Sequence, residues 1–318
     1  MHERRLVQTL SLPLPISVTA RNGLLLFMLL TTIAVFWKPL SALYSLTQEQ
    51  LHYSHLLLVP FVSLYVFYRN RKVILTSGEW SPWAGIFMVG LGAIGYWEVA
   101  RTTSGVDYVS FATLALVVVI WGIFLLCYGL GTLRKFSFGL LFLLCMAPFP
   151  AGLLHAIIVF LQHSAAEVTG VGFSLLGVPV IRNDIVFGLS NITIRVDEGC
   201  SAIRSALSLV ITSIVAGHFF LRSTWTKLSL VATVVPIAII NNGVRIVGLS
   251  LLANYVDKSF LLDGRLHDLV GHLVFVFSIT ILIVLISILR RWEQRSRFYS
   301  RSRADVASDV ASDVVAAK

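Results

Sequence analysis

VSFATLALVVVIWGIFLLCYGL, residues 109–130, decides the class of fold. The stretch carries no charged side chain, and as a helix rising about 1.5 Å per residue it is about 33 Å long. That length crosses a hydrocarbon core of about 30 Å. Comparable runs recur on both sides of it, and eight spans are expected: 22–40, 55–69, 83–100, 109–130, 136–155, 200–221, 227–253 and 267–290. The whole chain has 318 residues, 57% hydrophobic and 13% charged, with a mean hydropathy of +0.84. A soluble domain carries about 25% charged residues. The reading is an all-α polytopic membrane protein.

The formal net charge of +9 would point to nucleic acid in a soluble protein. Here the cations sit between apolar runs, at Arg4/Arg5, Arg69/Arg71/Lys72, Arg134/Lys135, Arg222/Lys227 and Arg290/Arg291. This is how the positive-inside rule distributes Lys and Arg on the cytoplasmic side, so no nucleic-acid partner is expected. With residues 1–21 cytoplasmic, the last four clusters all fall inside. The first run, from Gly23 through Trp37, has no small-x-small cleavage site after it and reads as the first permanent span.

Residues 155–199 depart from the pattern. Positions 156–178 are moderately apolar but carry Gln162, His163 and Glu167, so an amphipathic or partly buried helix is expected there rather than a lipid-facing span. A ninth crossing at this point would put Arg222, Lys227, Arg290 and Arg291 outside. Asp184–Phe187 and Ile192–Val196 then flank the turn signal Gly188-Leu-Ser-Asn191, and the second arm alternates as a half-exposed strand does. The expectation is a small extracytoplasmic hairpin-like insert leading into the helix that follows Cys200. Residues 22–292 thus form the membrane domain. Residues 293–318 read as a basic segment followed by a disordered cytoplasmic tail, because ADVASDVASDVV is small and polar.

Ionisable groups at the edges of spans are functional candidates. Cys127 and Cys145 lie in apolar runs, where a thiol acts as a small hydrophobe. Cys200 is different: it sits in Asp197-Glu-Gly-Cys-Ser-Ala-Ile-Arg-Ser205, in the first turn of the sixth span. The helix dipole and Arg204, four residues on, favour its thiolate there. Ser201 adjoins it. Arg245 lies in the outer half of the seventh span, with Asn242 three residues earlier on the same face; the alternative reading is an arginine snorkelling to headgroups. His267 and His272 open the eighth span. Five residues separate them, about 140° on a helix, so they do not share a metal.

A thiol, a guanidinium and an imidazole delivered to one leaflet are the equipment for acyl transfer. The imidazole takes the thiol proton and the thiolate attacks a carbonyl, while the arginine stabilises the developing oxyanion. A transporter would account for Arg245 and Glu98 but gives Cys200 no role. An acyltransferase acting on non-protein substrates through His267 is a second alternative. Neither a GxSxG element nor an HExxH motif occurs, and no metal or cofactor is called for.

At these residues the chain resembles the exosortase/archaeosortase family. The family's Cys-Ser-Gly-Ile-Arg-Ser-like block reads CSAIRS at Cys200–Ser205, its Asn-x-x-Arg block reads NGVR at Asn242–Arg245, and its His followed four residues later by Gly reads HDLVG at His267–Gly271. Tyr53-Ser-His55, Pro60 and Pro148-Phe-Pro150 are similar to further family features, so the likeness spans residues 50–290. Ala202 replaces the usual glycine, which removes no reactive group. The resemblance implies a membrane cysteine transpeptidase with catalytic Cys200, Arg245 and His267, with Ser201, Arg204 and Asn242 in support. Spacing to Gly271 selects His267 over the alternative base His272. It also implies a multi-pass protein of the cell (inner) membrane with its site on the extracytoplasmic side. Its partners would be exported proteins ending in a motif, a transmembrane helix and a basic tail, together with membrane lipid and a surface glycan or lipid acceptor.

Overall fold

The computed structural model describes residues 18–75, 81–196, 203–257 and 264–316, with only the backbone described at 18, 51, 73, 75, 264–268 and 296–316. The chain divides into two compact units, Met1–Ala151 and Gly152–Lys318. Among the described residues, six helices are long and apolar enough to cross a membrane, or seven if one bent pair forms a single span. Beyond a three-stranded sheet, the described elements are helical, and the expected all-α polytopic architecture stands. Large apolar side chains face outward, as at Trp83 (84% exposed) and Phe87 (70%), which only a lipid surround tolerates over so many residues.

In the first unit, α1 (Val18–Val35) and α2 (Trp37–Glu49) replace the expected span at 22–40, with a 68° bend between them. A 3₁₀ stretch (Leu51–Leu57) leads to α3 (Leu58–Leu75). The cations Arg69, Arg71 and Lys72 crowd its end, and α3 is not among those six helices. Helices α4 (Pro82–Thr102) and α5 (Gly105–Lys135) pack closely. A Cβ at Gly85 would lie 2.6 Å from the Leu126 backbone nitrogen, and one at Gly122 would lie 2.6 Å from that of Val89.

The expected span at 136–155 is not a continuous helix. Gly129 (φ 72°) breaks α5 in a conformation that glycine alone adopts easily. The chain then turns back, with Phe136 stacked on Phe124 at 5.5 Å and Trp121 Nε1 donating to Leu140 O at 2.9 Å. After α6 (Ser137–Phe142) and one 3₁₀ turn (Leu143–Met146), Pro148 and Pro150 remove backbone donors and keep the residues before them extended. The Ala151 N–H ends this return on Asp107 Oδ1 at 2.7 Å.

Residues 156–178, expected as an amphipathic or partly buried helix rather than a lipid-facing span, lie in helix α7 (Ala151–Leu175), which by length and composition is apolar enough to cross a membrane. Its polar residues meet the segment that follows the helix. Gln162 donates to Val196 O at 3.3 Å, Glu167 accepts two bonds from Arg182 at 2.5 and 3.1 Å, and His163 lies 3.4 Å from Asp184. Gly177 (φ 66°) closes the helix, with the Val178 N–H returning to Phe173 O at 3.0 Å.

The expected hairpin is present as β2 (Val186–Gly188) and β3 (Thr193–Arg195), with an additional strand, β1 (Ile181–Asn183), completing the antiparallel order β1-β2-β3. Phe187, Ile194 and Val196 pack with Ala165, Ala166 and Phe173 of α7 and with Ile246 and Val247. Helices α8 (Ile203–Phe220), α9 (Thr224–Tyr255) and α10 (Gly264–Ala316) follow and share a core with α7 around Leu161, Leu209, Leu230, Val234 and Leu282. The hairpin tip is clasped to the end of α9, where Asn254 Oδ1 accepts the Asn191 N–H at 3.0 Å. At the opposite end of α9, the buried Glu293 accepts the Ser223 N–H at 2.8 Å and the Thr226 hydroxyl. The described backbone of α10 runs on to Ala316.

Candidate active site

The three motif blocks of the sequence approach one another in the second unit. Ser205 from α8, Asn241, Asn242 and Arg245 from α9, and Gly271 and Ser278 from α10 line a narrow crevice. Leu209, Ala238, Val274 and Phe275 complete its apolar walls. The helix period selects this set: Ala238, Asn241, Asn242 and Arg245 fall on one face of α9, as Gly271, Val274 and Ser278 do on α10.

Arg245 is half-buried, and Asn242 beside it is only 3% exposed. The guanidinium lies against the bare backbone of Gly271, where an added Cβ would stand 3.5 Å from Nη1. A guanidinium held in such a polar-lined, apolar-walled cleft can present a planar fork of donors to a carbonyl oxygen.

Cys200 and Ser201 lie outside the described residues. Helix α8 begins three residues after the cysteine, at Ile203. Arg204 is exposed, and it is its neighbour Ser205 that lines the cleft. His267 lies on α10 one turn before Gly271, its side chain outside the described set. His272 is exposed and is not part of the lining. Sequence reasoning passed over Ser278, two helical turns from Gly271, and gave no role to Asn241 beside the NGVR block or to Ser205 at the end of CSAIRS. Among the described residues no group of three or more His, Cys, Asp or Glu could hold a metal ion.

Among the upstream family-like residues, Tyr53, His55, Pro60, Pro148 and Pro150 belong to the first unit. Tyr53 is 1% exposed, with its ring 4.2 Å from that of His52. Burial holds the His55 imidazole below its usual range, partly offset by a hydrogen bond to the His52 backbone.

Fold and cleft together define a polytopic membrane protein with an arginine-centred polar site walled by three apolar helices. The chain matches the transmembrane exosortase family (Exosortase_EpsH) over residues 46–284, well over half its length, and belongs to that family. Membership carries a membrane transpeptidase-type role. Neither a curated protein nor a solved structure matches the chain.

Proposed function

We propose that this protein is a membrane-embedded cysteine transpeptidase that cleaves the C-terminal sorting signal of exported proteins. Cys200 is the nucleophile. Its proton passes to the His267 imidazole, its sulfur bonds to the scissile carbonyl carbon, and Arg245 stabilises the oxyanion. Collapse breaks the C–N bond, returns the proton to the leaving amine and leaves a thioacyl enzyme. Water, or the hydroxyl or amine of a glycan or lipid acceptor, then releases the product. Asn242, Ser201 and Arg204 support these three groups. The site faces the extracytoplasmic side of the cell (inner) membrane, and residues 1–21 and 293–318 are cytoplasmic.

One observation carries the reading: CSAIRS, NGVR and HDLVG, far apart in sequence, each contribute a lining residue to one cleft, namely Ser205, Arg245 and Gly271. The test is alanine replacement of each cysteine, followed by assay of the processing of a substrate bearing motif, transmembrane helix and basic tail. Cys200→Ala is expected to abolish processing. Cys127→Ala and Cys145→Ala, at positions that are buried and half-buried, should leave it intact. Full processing by Cys200→Ala ends the nucleophile assignment.

A further inference from the structure

Asn241 Nδ2 donates to Ser278 Oγ at 2.7 Å. The Ser278 hydroxyl donates onward to Val274 O at 2.8 Å, and the serine is 3% exposed. This contact ties α9 to α10 inside the cleft. The buried Glu293 ties the same two helices at the far end of α9 through Thr226. Fifteen residues separate Thr226 from Asn241, and fifteen separate Ser278 from Glu293, so both contacts belong to one antiparallel register. They lie about 22 Å apart along the helices.

Arg245 follows Asn241 by one turn on α9. Gly271, against which Arg245 rests, precedes Ser278 by two turns on α10, and His267 precedes Gly271 by one more. Beside Asn242, the walls here are Ala238 of α9, Val274 and Phe275 of α10 and Leu209 of α8. Apolar packing is non-directional and permits small slips, whereas a hydrogen bond in a low-dielectric interior fixes one geometry.

We infer that Asn241 and Ser278 are a positioning pair that sets the register of the Arg245 helix against the His267 helix. Neither residue touches the reacting atoms in the mechanism proposed above, on which this inference rests; both act through Arg245 and the start of α10. A displacement of 1 Å at a reacting group costs about a hundredfold in rate. The pair therefore acts on kcat and leaves KM nearly unchanged.

The test uses the full chain in membranes, with Asn241→Ala, Ser278→Ala, the double variant and Ser278→Thr. Each single alanine variant should lower kcat by about tenfold or more with KM unchanged. The double variant should be no worse than the worse single one, because both remove one contact. Ser278→Thr, which keeps the hydroxyl, should retain most of the rate. Asn241→Leu, of similar size, replaces either alanine variant that does not fold.

A geometric readout runs beside the kinetics and needs no catalysis. Arg245→Cys and Gly271→Cys are combined in a Cys127→Ala, Cys145→Ala, Cys200→Ala background and bridged with a short bifunctional thiol reagent. Adding Ser278→Ala should slow bridging about tenfold, in keeping with the expected loss of rate. Unchanged bridging overturns the positioning role whatever the reaction proves to be. So do losses that multiply in the double variant, or a raised KM with kcat intact. A wild-type chain that processes no substrate refutes the proposed reaction, and bridging alone then decides the inference.

Discussion

Gly243, inside the NGVR block, makes a close approach between α9 and α7. A Cβ at this position would stand 2.4 Å from Val168 Cγ1, 2.7 Å from Val168 Cβ and 3.4 Å from the Thr169 nitrogen. Rotation of Val168 cannot relieve the contact, because its Cβ is itself too close and a β-branched side chain in a helix has essentially one rotamer. Gly243→Ala must therefore push the helices apart. Overpacking of this kind costs about 1–3 kcal/mol, less what alanine gains over glycine in helix propensity, up to about 1 kcal/mol. Gly248, five residues on in the same helix, has nothing within 4 Å of its Cβ position, so Gly248→Ala keeps only the gain. The two variants should move the unfolding midpoint of the detergent-solubilised protein in opposite directions. Adding Val168→Ala to Gly243→Ala removes the 2.4 Å contact but leaves the 2.7 Å one, so it should restore part of the loss. Equal midpoints for the two alanine variants, or no recovery with Val168→Ala, would refute the packing argument.

Glu293→Ala strands the Arg222 and Ser223 N–H groups at the start of α9 and leaves the Thr226 hydroxyl its bond to Ser223 O. A loss of about 1–3 kcal/mol for each stranded buried group sets the scale; Thr226→Val, which spares the backbone donors, should lose less in the same melting assay. Arg245→Lys should impair processing nearly as much as Arg245→Ala, because an ammonium does not reproduce a guanidinium's planar fork; substantial rescue by lysine would reduce Arg245 to a point charge. His267→Ala should slow both substrate cleavage and alkylation of Cys200, and His272→Ala neither. The reverse pattern would exchange the base, and equal losses would make the start of α10 structural.

The long apolar stretches were legible because hydropathy alone specifies them. The spans expected at 83–100, 109–130, 200–221, 227–253 and 267–290 are helices α4, α5, α8, α9 and α10. The hairpin before Cys200 was also legible, from its alternation and its turn residues. What failed depends on partners far away in sequence. Gln162, His163 and Glu167 made α7 look amphipathic, yet they meet Val196, Asp184 and Arg182 of the sheet segment. A window of adjacent residues cannot see that pairing. The break after α5 was readable in principle from Gly129, Pro148 and Pro150. Average hydropathy over 136–155 hides it, since glycine and proline cost little on a hydropathy scale and much in a helix.

The cleft illustrates how far a helical period extends a short motif. Once Arg245 is taken to face inward, the period of about 3.6 residues brings Asn242, Asn241 and Ala238 to the same face of α9. Applied to Gly271, it brings in Val274, Phe275 and Ser278; applied to Ser205, it brings in Leu209. Those residues are the lining. Each motif block thus supplies the phase of its helix, and the neighbours follow without any knowledge of tertiary contacts. The period cannot supply depth along the axis. Nothing in the spacing sets Ser278 opposite Asn241 rather than one turn away, and two polar contacts fifteen residues apart share the register that the structure adopts, at Asn241 with Ser278 and at Thr226 with Glu293. Substitutions on the apolar walls should accordingly change the shape of the cleft, whereas substitutions at those two contacts change which residues face one another across it.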